Sequence, residues 1–173
     1  MHLKNNNDLQ LNYYNSKFKR QKFPIVIVAD RLVSHENIGG LFRISDAFGV
    51  SKIYFGGSQE KFKKKVFNVS RSTEKVVDYE HINDTFALVK EFKAKKRKII
   101  GIEITKNSNP ISKVTFDKDD YFVLIFGNER NGISYDLLNL CDDIYHIEMF
   151  GQNSSMNVIQ AASIALYEIT KKI

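Results

Sequence analysis

Residues 25–55 read IVIVADRLVSHENIGGLFRISDAFGVSKIYF. Pro24 introduces the run Ile25 to Ala29, which is short, apolar and β-branched, the signature of a buried strand. From Asn37 to Phe48, residues Ile38, Leu41, Phe42, Ile44, Ser45 and Phe48 recur at helical spacing, with Asn37 able to cap the helix and Gly49 placed to stop it. Lys52 to Phe55 then reads as a second strand. Strand, helix, strand in this space is a βαβ unit, and two strands joined through a helix run parallel.

The alternation continues outward. Val76 to Tyr79 is a weak strand, and Asn83 to Lys96 an amphipathic helix with Phe86, Leu88, Val89 and Phe92 inward. Lys98 to Ile104 is a strand running into an Asn/Ser/Pro loop at Asn107 to Pro110. Tyr121 to Phe126 is continuously apolar, as a central parallel strand buried on both faces must be. Gly127 to Gly132 is a loop, Ser134 to Leu140 a short helix and Ile144 to Ile147 another strand. Ser155 to Lys171 closes the chain as a helix with Val158, Ala161, Ala162, Ala165, Leu166 and Ile169 on one stripe. The fold class is therefore α/β, a single domain with a mostly parallel sheet flanked by helices and right-handed crossovers. Residues 1–24 form a basic N-terminal extension and residues 25–173 the domain.

Composition narrows the functional classes. The 173 residues are 43% hydrophobic and 27% charged, with nine Gly and two Pro, which excludes a largely disordered or collagen-like chain. No apolar run approaches the roughly 18 to 20 residues of a membrane helix, and Met1 to Gln10 is polar where a signal peptide is apolar. No membrane partner and a cytoplasmic location are expected. The single cysteine, Cys141, and four histidines without metal-ligand spacing make a metal site an unsuited reading. A net charge of +6 favours polyanionic partners. Basic residues cluster at Lys17, Lys19, Arg20 and Lys22, at Lys61 with Lys63 to Lys65, and at Lys93, Lys95, Lys96, Arg97 and Lys98. Tyr13, Tyr14, Phe18, Phe23, Phe62 and Phe67 lie nearby. Phosphate contact with base stacking uses that mixture; a solvated face uses the charges alone.

In open parallel sheets ligands sit beyond the C-terminal strand ends, which directs attention to the loops after Ala29, Ile104, Phe126 and Ile147. In the first, Arg43 follows Asn37, Gly39 and Gly40 on a helix that packs on the sheet. A guanidinium among apolar residues needs a carboxylate or phosphate partner, so Arg43 serves either an anionic ligand or a salt bridge to Asp46 or Glu36. The second, FGNERNGIS at 126–134, is glycine-bounded and polar, able to hold a small polar ligand through its backbone or to be a solvated turn. It lacks the GK[ST] of a phosphate loop, and the chain has no GxGxxG. In the third, IEMFGQNSSMNVI at 147–159, Ser154, Ser155 and Asn157 stand at the entrance of the last helix, where capping explains one of them but not three.

In this order the three segments resemble the signature motifs of the SpoU-type branch of the SPOUT superfamily, RNA ribose 2′-O-methyltransferases that use S-adenosylmethionine. The first motif is met by Asn37, Gly39, Arg43 and Asp46 to Gly49, and the second by Gly127, Glu129 and Gly132. The third is met by Ile147, Met149, Ser155, Met156 and Asn157. The resemblance runs from about Asp30 to the C-terminus. Two positions depart from it: Glu148 stands where the family usually has proline, and Met156 where it has leucine, the latter a volume-conserving exchange.

The resemblance implies a C-terminal deep trefoil knot, a homodimer with the last helix in its interface, and S-adenosylmethionine as cofactor. It also implies RNA as partner. The short segment before the first strand, in place of a separate RNA-binding domain, favours tRNA over rRNA. Asn37, Arg43, Glu129, Ser155 and Asn157 would line the catalytic site, with Arg43 clamping an RNA phosphate, since a guanidinium with a pKa above about 12 is a poor base. Glu129 would order Arg43 and its loop. Ile104, Gly127, Ile147, Met149 and Ser155 would hold the cofactor. The apolar stripe of the last helix suits either a dimer interface or the chain's own core. A catalytically silent RNA-binding module on the same fold is the alternative function, and a small-molecule nucleotide enzyme lacks its fingerprints.

Overall fold

The computed structural model describes residues 18–57, 62–116, 121–153 and 155–173. Seven strands are formed among these residues: β1 (Ile25–Ala29), β2 (Lys52–Gly56), β3 (Asp78–Ile82), β4 (Lys98–Ile102), β5 (Asn109–Pro110), β6 (Phe122–Phe126) and β7 (Asp143–His146). They make one sheet in the order β3-β2-β1-β6-β4-β7-β5, and every pairing is parallel. Among the described residues four α-helices connect them, α1 (His35–Ala47), α2 (Lys64–Ser70), α3 (Thr85–Ala94) and α4 (Tyr135–Leu138), and a fifth, α5 (Val158–Thr170), follows β7.

Strand periodicity sorts the core into two layers. Ile25, Ile27 and Ala29 of β1 with Phe122, Leu124 and Phe126 of β6 face α1 and α5, packing with Leu41, Phe42, Ala162 and Leu166. Val28, Val123, Ile125 and Ile99 face the opposite side, against Val89 of α3 and Leu137 of α4. β1 and β6 are buried along their whole length, which is why they read as continuous apolar runs rather than as alternating ones.

The expected elements are present, with local differences. Ser34, not Asn37, caps α1: its Oγ accepts from Asn37 N at 3.3 Å, and Asn37 lies in the first turn with its side chain buried. Gly49 does end the helix, in a left-handed conformation at φ +61°. Phe86 is exposed rather than inward; Val89 is the fully buried residue of α3. The strand expected at Val76 to Tyr79 is displaced to Asp78–Ile82, because a 3₁₀ turn occupies Thr73–Lys75. The loop at 107–110 contributes β5, paired to β7. The last helix begins at Val158, so Ser155 to Asn157 belong to the approach to it.

Helix α2 escaped the sequence reading because KKVFNVS combines two valines with an asparagine and places lysines at the helix start, where the dipole disfavours them. Tertiary packing forms it. Val66 is buried, and a Cβ at Gly39 would lie 2.6 Å from Val69 Cβ, so the glycine in α1 lets the two helices touch. No helix among the described residues is long and apolar enough to cross a membrane.

Candidate active site

Beyond the C-terminal ends of β6, β4 and β7 lies a cleft of about 750 Å³. Its wall includes Asn37, Glu129, Ser155, Asn157, Ile104, Gly127, Ile147 and Met149, so the structure gathers at one place all the expected site residues except Arg43. Loops separated by more than a hundred residues meet there because β1 and β6 are neighbours in the sheet and α1 packs beside α5.

A polar relay ties the three motif loops together. The Glu129 carboxylate accepts from the backbone N–H of Ser34 at 3.0 Å and of Val33 at 3.3 Å, and from Asn37 Nδ2 at 3.0 Å. Asn37 Oδ1 in turn accepts from Asn157 Nδ2 at 3.0 Å, while Asn157 Oδ1 caps α5 by accepting from Ile159 N at 2.8 Å. Burial alone opposes ionisation of Glu129, but the bonds from Asn37, Ser34 and Val33 outweigh it and hold the carboxyl below its usual value. A carboxylate stabilised in this way is a fixed anion at neutral pH and a weak proton acceptor.

The loop after β6 is closed on itself by Asn128 N donating to Gly132 O at 3.0 Å and Gly132 N to Asn128 O at 2.9 Å. Asn128 Nδ2 also reaches Arg31 O at 2.7 Å, anchoring the loop to the end of β1. Gly132 adopts φ +63°, and a side chain there would run into the Glu103 carboxylate. Glu103 spans two loops, accepting from Ile104 N and from Ile133 N, each at 3.0 Å.

Arg43 stands apart. It is exposed on α1, it does not line the cleft, and no hydrogen bond or ion pair to it is formed by the described residues, Asp46 and Glu36 included. The expectation that Glu129 orders Arg43 is corrected, since Glu129 is spent on the start of α1. The partner expected from burial is absent because the side chain emerges from the helix into solvent. Ser155 is exposed on the cleft wall, its backbone N–H donating to Asn153 Oδ1 at 3.3 Å. Ser154 lies outside the described residues, as do Tyr13, Tyr14, Lys17 and Lys61. His146, the one histidine near the serines of the third loop, also lines the cleft; sequence reasoning missed Glu103 and Asn128 of the lining and Ser34, which holds Glu129, each at or just beyond a strand end or loop hinge.

Comparison with known proteins follows the same outline. Residues 24–167 match the family model described as the SpoU rRNA Methylase family. The chain is 29% identical over 154 residues to the tRNA (guanosine(18)-2′-O)-methyltransferase of Aquifex aeolicus, covering 89% of this chain and 72% of that protein. It is 28% identical to the 23S rRNA (guanosine(2553)-2′-O)-methyltransferase RlmP of Bacillus subtilis, covering 83% of this chain and 57% of that one. The crystal structure of the A. aeolicus TrmH/SpoU tRNA modifying enzyme superposes with a TM-score of 0.79 at 29% identity, over 89% of this chain and 77% of that one. AviRb from Streptomyces viridochromogenes, in complex with the cofactor AdoMet, shares the fold at a TM-score of 0.76 and 22% identity, over 92% of this chain and 64% of that one. With a family model spanning nearly the whole domain and the motif loops converging on one cleft, the chain belongs to the SpoU rRNA methylase family.

Proposed function

We propose that the protein is an S-adenosylmethionine-dependent RNA methyltransferase that methylates a ribose 2′-hydroxyl, with tRNA favoured over rRNA. The observation that carries this reading is the convergence of the three motif loops on one cleft through the Glu129, Asn37 and Asn157 relay. The printed activities of the A. aeolicus and B. subtilis relatives support the reaction, and the former supports the choice of tRNA. The intact relay and the AdoMet-binding neighbour favour an enzyme over a silent RNA-binding module.

The cleft suits the cofactor. One side is apolar, with Ile102, Ile104, Ile133 and Ile147, and its wall holds a buried hydroxyl without a partner, Thr105 Oγ1, which an occupied cleft can satisfy. Bound there, S-adenosylmethionine supplies an activated methyl group on a sulfonium. Gly127, Ile147 and Met149 would contribute backbone groups, with Ile104 at the rim and Ser155 at the wall.

The relay divides the work among the residues. Asn37, Glu129 and Asn157 spend their polar atoms on one another and on helix ends, so they are positioning residues that fix the cleft's shape. Arg43 and Ser155 retain groups to offer a substrate. Arg43, outside the cleft, clamps an RNA phosphate and so fixes the 2′-hydroxyl over the cleft mouth, and the proton of that hydroxyl passes to solvent water. Ser155 helps to hold the ribose. Orientation of the hydroxyl supplies most of the rate.

The same reading includes the homodimer, the knotted C-terminal part and RNA contact by the basic extension 1–24. The stripe of α5 goes into the chain's own core, with Ala162, Ala165, Leu166 and Ile169 fully buried, so a partner would meet the other face, where Ile164 and Tyr167 are exposed. The sheet order supports the knot in that β4 lies between β6 and β7. Calorimetric titration of the purified protein with S-adenosylmethionine tests the cofactor assignment: saturable binding, lost when Gly127 is replaced by Val, is expected, and no binding overturns it.

A further inference from the structure

His146 ends β7 and lines the cleft, yet no motif assigns it a part. Its Nδ1 lies 2.9 Å from Ser108 Oγ. Ser108 Oγ also accepts from Thr105 N at 3.0 Å and lies 2.9 Å from Thr105 O as a donor. A serine hydroxyl has one proton to give and two lone pairs to fill. Giving the proton to Thr105 O leaves both lone pairs for the Thr105 and His146 N–H groups, and every contact becomes a hydrogen bond. The reverse assignment forfeits the bond to Thr105 O. In the neutral ring the proton therefore belongs on Nδ1, and Nε2 is a bare acceptor. Nε2 has no partner among the described residues, where the buried orphaned side-chain atoms are Ser45 Oγ and Thr105 Oγ1. It is thus not sealed from solvent, on a residue that lines the cleft.

The strand order gives that acceptor its ligand. Asn37 and Glu129 follow β1 and β6, whereas Thr105 and His146 follow β4 and β7, one to three strand spacings away, or ~5–14 Å. The His146 end carries Ile102, Ile104 and Ile147, and its one carboxylate, Glu103, is taken up by the backbone N–H groups of Ile104 and Ile133. A flat heterocycle carrying an amine fits an apolar slot with one fixed acceptor, and the charged amino-acid half of the cofactor does not. We propose that His146, held by Ser108, reads the exocyclic amine of the cofactor's adenine through Nε2. This rests on the assignment of the cleft to S-adenosylmethionine. His146 is a specificity residue in this arrangement, and Ser108 a positioning residue that sets the tautomer.

The test compares S-adenosylhomocysteine with S-inosylhomocysteine, in which an oxygen replaces the amine and N1 carries a proton. By calorimetry the wild-type chain should bind the adenosyl compound about tenfold more tightly, and His146→Phe should bring the two affinities within about twofold. Equal binding of both compounds by the wild type, or an unchanged ratio in His146→Phe, overturns the proposal while leaving the cofactor assignment standing. Binding of neither overturns that assignment and the proposal with it. Side-chain ¹⁵N spectra give a readout independent of binding: the wild type should show the proton on Nδ1, with the Nε2–H form gaining population in Ser108→Ala. An Nε2–H ring in the wild type overturns the proposal.

Discussion

Asn157 and Asn37, 120 positions apart in the chain, are joined side chain to side chain at 3.0 Å, and this bond links the cap of α5 to the first turn of α1. The same Asn37 passes its Nδ2 to Glu129, so the three loops that form the cleft share one polar seam. The seam is partly buried, where an unmade bond costs more than a surface one.

Removing either asparagine leaves one polar atom of the other without its bond, Asn37 Oδ1 or Asn157 Nδ2, and also takes away the bond to Glu129 or the cap of α5. Asn37→Ala and Asn157→Ala are each expected to lower stability by about 1–3 kcal/mol in urea unfolding. In the double variant the losses should fall short of additivity by at least about 0.5 kcal/mol. Strict additivity would show that the bond does not couple the two helices.

Glu129 makes the seam sensitive to acid. Its carboxyl is held below the usual value in the folded chain, so its contribution to stability is complete above the unfolded pKa of about 4.3 and disappears as pH falls through the lower folded value. Glu129→Gln should be less stable than wild type at pH 7, and the gap should narrow on acidification below about pH 4. A gap that widens on acidification contradicts the sign.

Arg43 has no structural task among the described residues. Arg43→Ala should leave unfolding stability within about 0.5 kcal/mol of wild type and cofactor affinity unchanged, and reduce methyl transfer by at least about 10²-fold. A large loss of cofactor affinity would return Arg43 to the cofactor site.

Lys63, Lys64 and Lys65 project from the start of α2, all exposed, above Val66 in the core. If they touch RNA phosphates, replacing all three by Ala should reduce the slope of log affinity against log salt by about 2–3 in a filter-binding or anisotropy titration. An unchanged slope makes them a solvated face.

Much of this arrangement could be read from the chain. The runs at 25–29 and 121–126 announce buried parallel strands because both faces must be apolar, and the rule that ligands gather beyond strand ends points to the loops that form the cleft. What escaped depends on neighbours distant in sequence. Asn37 reads as a cap, yet Ser34 takes that task and frees Asn37 for Glu129 and Asn157, an exchange visible only once β1 and β6 pair. Helix α2 has poor local propensity and exists because Gly39 admits Val69. Arg43 reads as buried from its apolar neighbours, but the 3.6-residue turn carries it outward between Phe42 and Ile44.

The reaction itself is tested by following a tritiated methyl group from S-adenosylmethionine into total tRNA and rRNA from cells lacking the protein, with alkaline hydrolysis of the product. Alkali cleaves RNA through a free 2′-hydroxyl, so methylation of the ribose should leave the label in resistant dinucleotides from tRNA. Label released in mononucleotides would mean that a base is the acceptor, and would contradict the assignment of this cleft to ribose chemistry.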